Sequence, residues 1–310
     1  MASEHLASVM VQAFIDAVDA GLDVVPVVSD STSTAKIGPF SQRFPERLIN
    51  VGIAEQSLVS VAAGLALGGK IAATCNAAPF LISRANEQIK VDVCYNQANV
   101  KMFGLNAGTS YGPLASTHHS LDDISVMRGF GNVQIFAPAD AIECRQIVDY
   151  ALRYHGPVYI RLDGKALPDV HGADYQFVPG QVDILRQGAD VSIVALGSVV
   201  HEAVDAAALL AEQGIQAQVI NLSSIRPLQR DVLLSALSGT QAVITVEEHN
   251  INGGIGSLVA EVLAEAGLGI ALIRLGIGDG EYAAAGAREP TRALHNIDAA
   301  GIVAAATRLR

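Results

Sequence analysis

Asn50-Val51-Gly52-Ile53-Ala54-Glu55-Gln56 decides how the rest of the chain reads. Glu55 is the only acidic residue between Glu46 and Glu87. It opens a run, Ser57 to Gly69, built almost wholly of Leu, Val, Ala, Gly and Ser. Apolar residues go all round that run instead of along one stripe, so the pattern predicts a helix buried on every side. A carboxyl group at the mouth of such a helix loses hydration and is costly unless it meets a specific partner. The helix dipole alone would also favour an acid there. Two readings therefore stand side by side: a first-turn helix charge, or a carboxyl held for a ligand.

Outward from that stretch, helices and strands alternate. Helical spacing over Leu6 to Val18 precedes a short apolar strand, Asp23 to Val28, that ends at Ser29-Asp30. Ser31 to Thr34 follows at the strand's C-terminal edge, where parallel α/β sheets gather ligand contacts. Lys36 to Pro45 reads as loop. Strands are predicted at 69–74, 100–105, 133–136 and 157–162, with helices at 83–95, from about 121, and at 139–154. Residues 165–182, rich in Pro, Gly and His, have no period and read as a linker. A second alternation follows, with strands at 191–196, 217–222, 242–246 and 270–275 and helices near 199–213, 229–237, 254–266 and 298–309. The fold class is α/β: two parallel-sheet domains, 1–164 and 183–310.

Composition narrows the function. A chain of 310 residues is long enough for two full cores, and half its residues are hydrophobic. A net charge of −11 leaves no basic cluster to neutralise a phosphate backbone, which argues against nucleic acid. Cys75, Cys94 and Cys144 are odd in number and widely spaced, as expected of free thiols in a reducing cytoplasm. No uninterrupted apolar stretch is long enough for a bilayer, so no membrane association is expected.

Beyond Glu55, the candidate chemistry is sparse. His118-His119 follows the Gly-rich loop 106–119 and precedes Ser120-Leu121-Asp122-Asp123. Histidine pairs in loops are commonly inert, but this loop leaves a strand's C-terminal end, where an imidazole can bond a bound oxygen. Asp122 and Asp123 read as first-turn helix acids and no metal site is expected. Asn252-Gly253-Gly254-Ile255-Gly256 lacks the P-loop lysine and the dinucleotide spacing, so tight packing explains it better. Glu247-Glu248-His249, at a strand end, shows nothing alone.

Taken together, several stretches resemble the C-terminal half of a transketolase, in the form encoded as a separate subunit. They are Phe44 to Gln56, Arg84-Ala85-Asn86-Glu87-Gln88-Ile89-Lys90, Thr117-His118, Ala137-Pro138-Ala139-Asp140, Gly156 to Leu162 and Thr245-Val246-Glu247-Glu248-His249. The resemblance runs in order along nearly the whole chain. The Gly-Ile-Ala-Glu-Gln block with a downstream Thr-His is specific to thiamine diphosphate enzymes of the transketolase and deoxyxylulose-phosphate synthase type. It implies a pyrimidine-binding domain followed by a smaller transketolase C-terminal-type domain.

Residue by residue, the resemblance implies that Glu55 bonds ring nitrogen N1′ of the cofactor and takes part in catalysis. Phe80 would pack on the pyrimidine, and Asp30 would be the acid at the first strand's end. Thr34, Asn106 and His118 would contact substrate, His118 through sugar hydroxyls. Gly278-Asp279-Gly280 is not followed by the Asn-Asn of the family's diphosphate signature and reads as a turn. The resemblance therefore implies a partner, the N-terminal transketolase subunit. That partner would hold the diphosphate and Mg²⁺ (or Ca²⁺), in a heterotetramer of two copies of each subunit with self-association of this chain as a homodimer.

The expected activity is a transferase moving a two-carbon ketol unit from a ketose to an aldose sugar or sugar phosphate. Asn106 stands where ordinary transketolases have a His, and Asp163 where they carry an Arg for sugar phosphate. These departures predict altered specificity, toward a branched or non-phosphorylated sugar. The alternatives are a synthase-like subunit using a 2-oxo acid, and a non-catalytic regulatory subunit.

Overall fold

The computed structural model describes residues 4–309. Its strands are β1 (Val24–Val28), β2 (Ile49–Asn50), β3 (Ile71–Ala77), β4 (Val100–Leu105), β5 (Gln134–Phe136), β6 (Val158–Arg161), β7 (Asp183–Arg186), β8 (Val191–Ala195), β9 (Ala217–Asn221), β10 (Ser224–Arg226), β11 (Ala242–Asn250) and β12 (Ala271–Ile277). They form two sheets, β10-β5-β6-β4-β3-β1-β2 and β12-β11-β8-β9-β7. Pairing is parallel except at one edge of each sheet, where β10 lies antiparallel to β5 and β7 to β9. Every residue of β1, β4 and β8 is buried, because helices cover both faces of each sheet. One apolar cluster runs from Leu58, Val59 and Met102 through Ile135 to Ile220, Leu233 and Val259, so the two sheets share a core. Among the described residues no helix is long and apolar enough to cross a membrane.

The elements depart from the sequence-based expectation in several places. Residues 38–43, expected as loop, form a short helix. Pro39 sits in its first turn, where a missing N–H is harmless, and Phe40 packs edge-on to Phe14. The helix expected over 83–95 is broken into Ala78–Arg84, Asn86–Gln88 and a π-helical stretch, Ile89–Tyr95; Ala85 (φ −102°, ψ 23°) makes the first break. β10 is lent to the first sheet from beyond the linker, a pairing that no local pattern encodes.

The helix Glu55–Leu67 is not buried on every side. Leu58, Val59, Ala62 and Ala63 face the core, while Val61 and Leu67 are 36% and 69% exposed, and Ile53 just before the helix 77%. Its composition asks for two apolar neighbours and this chain supplies one. Val91 and Tyr95 on the adjoining π-helical stretch are exposed as well.

Candidate active site

β1, β3, β4 and β6 are parallel neighbours, so their C-terminal ends bring Ser29-Asp30, Asn76-Ala77, Asn106 and Asp163 to one rim of the first sheet. Glu55 enters from the side, at the first residue of its helix. Ala54 N–H donates to Ser29 Oγ at 3.1 Å, which ties that helix start to the end of β1. The Glu55 side chain is buried, and two donors converge on its Oε1: Arg84 Nη1 at 3.1 Å and Asn76 Nδ2 at 3.4 Å. Among the described residues none bonds Oε2. The partner that burial demanded is thus an arginine on one oxygen, with the other left as an acceptor. Asn76 is itself held by Ser31, whose hydroxyl donates to its Oδ1.

Arg84 also caps a column of rings. Its guanidinium lies 4.1 Å from the centre of the Phe80 ring. The His118 imidazole meets Phe80 edge-on at 5.1 Å and Tyr111 at 5.3 Å. Thr117 Oγ1 lies 2.9 Å from His118 Nδ1. The structure therefore joins three of the expected residues: Arg84 links Glu55 to Phe80, and Phe80 meets His118. Arg84, Asn76, Ser31 and Tyr111 carried no expected role, although Arg84 is the first arginine after the buried acid, which was a legible hint.

The other expected residues stand apart from that column. Asp30 is exposed, with a left-handed backbone (φ 57°), and its N–H donates to Asn50 Oδ1. Thr34 is half-buried in the following turn, and Asn106 half-buried with φ 52°. Among the described residues, neither hydrogen-bonds Glu55, Asn76 or Arg84. His119, beside His118, is buried; its Nε2 donates to Gly112 O at 3.1 Å and burial holds its imidazole below the usual range.

Asp163 does not face outward as a free acid. It is buried and paired with both terminal nitrogens of Arg288, from the C-terminal domain. Asp123, expected as a first-turn acid, occupies that turn but is fully buried, bonded by Tyr159 Oη at 2.7 Å and Arg161 Nε at 2.9 Å. Glu247 accepts from the N–H groups of Ile255 and Gly256, which fills the glycine-rich helix start with a protein carboxylate. A cavity of about 560 Å³ opens between Phe80 and Arg84 on one side and Asn250, Asn252 and Tyr282 on the other. Neither Glu55 nor His118 lines it, so it adjoins the column and does not contain the carboxylate.

A buried carboxylate with one oxygen fixed by a cation and the other open is suited to hold or exchange a proton with a ring nitrogen, and the flat column beside it is suited to an aromatic ligand. Comparison with known proteins gives the family. Residues 5–169 match the family model of the transketolase pyrimidine binding domain, and 180–302 that of the transketolase C-terminal domain. The chain is 67% identical, over 97% of both proteins, to an apulose-4-phosphate transketolase subunit of Actinobacillus succinogenes. It is 40% identical to a 1-deoxy-D-xylulose-5-phosphate synthase of Geobacter sulfurreducens, covering 86% of this chain and 42% of that longer one. Among solved structures, a split-gene transketolase in the form of an inactive beta4 tetramer superposes with a TM-score of 0.89 at 36% identity, covering 99% of this chain and 98% of that one. The chain belongs to the transketolase family, whose members depend on thiamine diphosphate, and it comprises that family's pyrimidine-binding and C-terminal domains.

Proposed function

We propose that this chain is the pyrimidine-binding subunit of a split transketolase that takes apulose 4-phosphate as its ketose. The observation that carries the reading is Glu55: buried, pinned on Oε1 by Arg84 and Asn76, and open on Oε2 beside the Phe80–His118 column. The residues fit the aminopyrimidine of thiamine diphosphate. When bound, that cofactor supplies the nucleophilic carbon and the electron sink for two-carbon transfer. Glu55 Oε2 would share a proton with ring nitrogen N1′, while the Arg84 charge keeps Oε1 from competing for it. Phe80 would offer its ring to the pyrimidine. His118, steadied by Phe80, Tyr111 and Thr117, would bond sugar hydroxyls, and Asp30, Thr34 and Asn106 would line the approach at the sheet rim.

The 67% identity to a protein named for apulose 4-phosphate supports the sugar. It counts against the non-phosphorylated half of the expectation drawn from Asp163. Because Arg288 neutralises that acid, it gives no repulsion against a sugar phosphate. Dependence on an N-terminal subunit that holds the diphosphate and its Mg²⁺ or Ca²⁺ is supported by the exposed apolar face of the Glu55–Leu67 helix. Such a face calls for another chain. We assign a heterotetramer of two copies of each subunit, with this chain also self-associating, in a reducing cytoplasm that suits its three buried free thiols.

The test is ketol transfer by the chain with and without the N-terminal subunit, in the presence of thiamine diphosphate and Mg²⁺. Turnover is expected only in the mixture, with kcat/KM for apulose 4-phosphate above that for xylulose 5-phosphate. Pyruvate consumption by the mixture would instead establish the synthase reading. Full cofactor binding without turnover on any ketose phosphate would leave a regulatory subunit.

A further inference from the structure

The Glu55 column makes no use of the most heavily bonded buried carboxylate among the described residues. Glu248, on β11 of the C-terminal domain, is fully buried. Its Oε1 accepts from Thr109 twice, from the backbone N–H at 2.7 Å and from Oγ1 at 2.6 Å. Thr109 belongs to the loop that carries Asn106 and His118. The Oε2 of Glu248 accepts from Arg292 Nε at 2.7 Å, Arg288 Nη2 at 3.0 Å and Ser198 Oγ at 3.1 Å. Burial would push the Glu248 carboxyl up, but Arg288 and Arg292 beside it hold it well below the usual carboxylate range.

Arg288 extends the same network to Asp163, whose Oδ2 lies 3.4 Å from Ser110 Oγ, the next residue of the loop. The loop's base is gripped as well. Gly108 and Ser120 exchange backbone bonds at 3.0 Å, Asn250 N–H donates to Leu121 O at 2.8 Å, and Arg161 Nη2 bonds both Ser120 O and Glu248 O. Gly108 is needed for this approach: its φ is +65°, and a Cβ there would stand 2.6 Å from Glu248 Oε1.

A buried ion network is a poor route to stability, since apolar residues of the same volume do as well or better, but it fixes geometry. We propose that Glu248 is a positioning residue for ketol transfer: through Thr109 it sets the loop that presents His118 and Asn106, so that the C-terminal domain acts on substrate recognition from behind the site. This rests on the reading of His118 as a sugar contact. Glu248 touches neither cofactor nor sugar; it works by denying the loop alternative positions.

The experiment uses the two-subunit enzyme and compares Glu248→Gln, His118→Ala and the double variant. Glu248→Gln is expected to raise amide hydrogen exchange over residues 107–120 at least tenfold. It should raise KM for the ketose at least fivefold and lower kcat/KM at least tenfold, with thiamine diphosphate affinity within twofold of wild type. In the His118→Ala background the same change should cost less than threefold. Wild-type exchange, a loosened loop with unchanged kcat/KM, or, where His118→Ala is itself impaired, a full tenfold loss persisting in its background would each overturn the proposal. If Glu248→Gln fails to fold, Thr109→Val removes the hydroxyl bond alone and should still raise exchange and KM about threefold; no change in either would overturn it. If His118→Ala alone leaves the kinetics intact, the sugar-contact reading fails. The clamp is then judged by loop exchange and kcat/KM of Glu248→Gln, which must still change together.

Discussion

Replacing Glu55 by Gln separates proton handling from shape. The amide keeps an acceptor at Oε1 for Arg84 and Asn76, while the second oxygen becomes an NH₂ group that only donates. The stability cost is small. The Arg84–Glu55 pair is 3.1 Å long, but the Arg84 side chain is 51% exposed, so solvent screens it to about 0.5–1 kcal/mol. For a chain of this size that lowers Tm by no more than about 2–4 °C. A positioned proton-transfer group, by contrast, contributes roughly 10²- to 10⁴-fold in rate, which is about 3–5 kcal/mol of barrier. The variant should therefore assemble and melt almost as wild type and lose nearly all turnover. Initial rates of ketol transfer at saturating cofactor, read alongside Tm and size-exclusion elution, make the comparison. A kcat within threefold of wild type with cofactor bound would refute the assignment. So would a Tm loss above about 10 °C, which would mark Glu55 as a structural charge.

Further outcomes follow from the same geometry. Arg84→Met keeps packing against Phe80 but removes the charge from Oε1, so thiamine diphosphate titration of the assembled enzyme should show affinity weakened about tenfold, the value of one charge-assisted bond. An unchanged affinity would place Arg84 outside the site. Leu67→Asp, on the 69% exposed position of the Glu55 helix, should leave the chain's own unfolding within about 0.5 kcal/mol while weakening assembly at least about tenfold by light scattering. Intact assembly would show that this face is not an interface. A pH-dependent outcome concerns His171. Burial opposes its charge, but Asp140 and Asp183, at 2.8 and 3.0 Å, push its imidazolium up to about 10 from 6.5. Since the folded value is the higher one, its stabilisation is complete below pH 6.5 and fades as pH rises through 10. Urea midpoints should fall at that alkaline end, and His171→Gln should flatten the fall. A curve unchanged by the substitution would count against this linkage.

The central strands of both sheets were legible because runs such as Val24–Val28 and Val191–Ala195 are short and apolar between turn residues, and full burial on two faces writes itself into composition; the edge strands Ile49–Asn50, Asp183–Arg186 and Ser224–Arg226 were not. Glu55 was legible for the converse reason: an acid among apolar neighbours demands a partner. Which partner was not, since the helix expected over 83–95 runs on through Ala85 and hides that Arg84 ends a separate helix, Ala78–Arg84. The pairing of Asp163 was hidden because its counter-charge, Arg288, lies 125 residues further on. The one-sided burial of the Glu55 helix escaped for a different reason. Composition reports how much burial a segment requires, not whether its own chain provides it.

The strand β10 bears on how such proteins can be recombined. Ser224–Arg226 completes the edge of a sheet whose other strands all precede residue 162, pairing with Phe136 and Ile135, and Ser223 O accepts from Ala137 N–H. A crossover placed in the stretch 165–182, the apparent seam, would give the first sheet a foreign edge strand, and at the same time replace the arginine that meets Asp163. Chimeras joined there should misfold or lose register unless β5, β10 and the 288–292 segment come from one parent. Variation in sugar preference within this architecture is thus expected to accumulate by substitutions along the sheet rim, with the two halves of the chain inherited together.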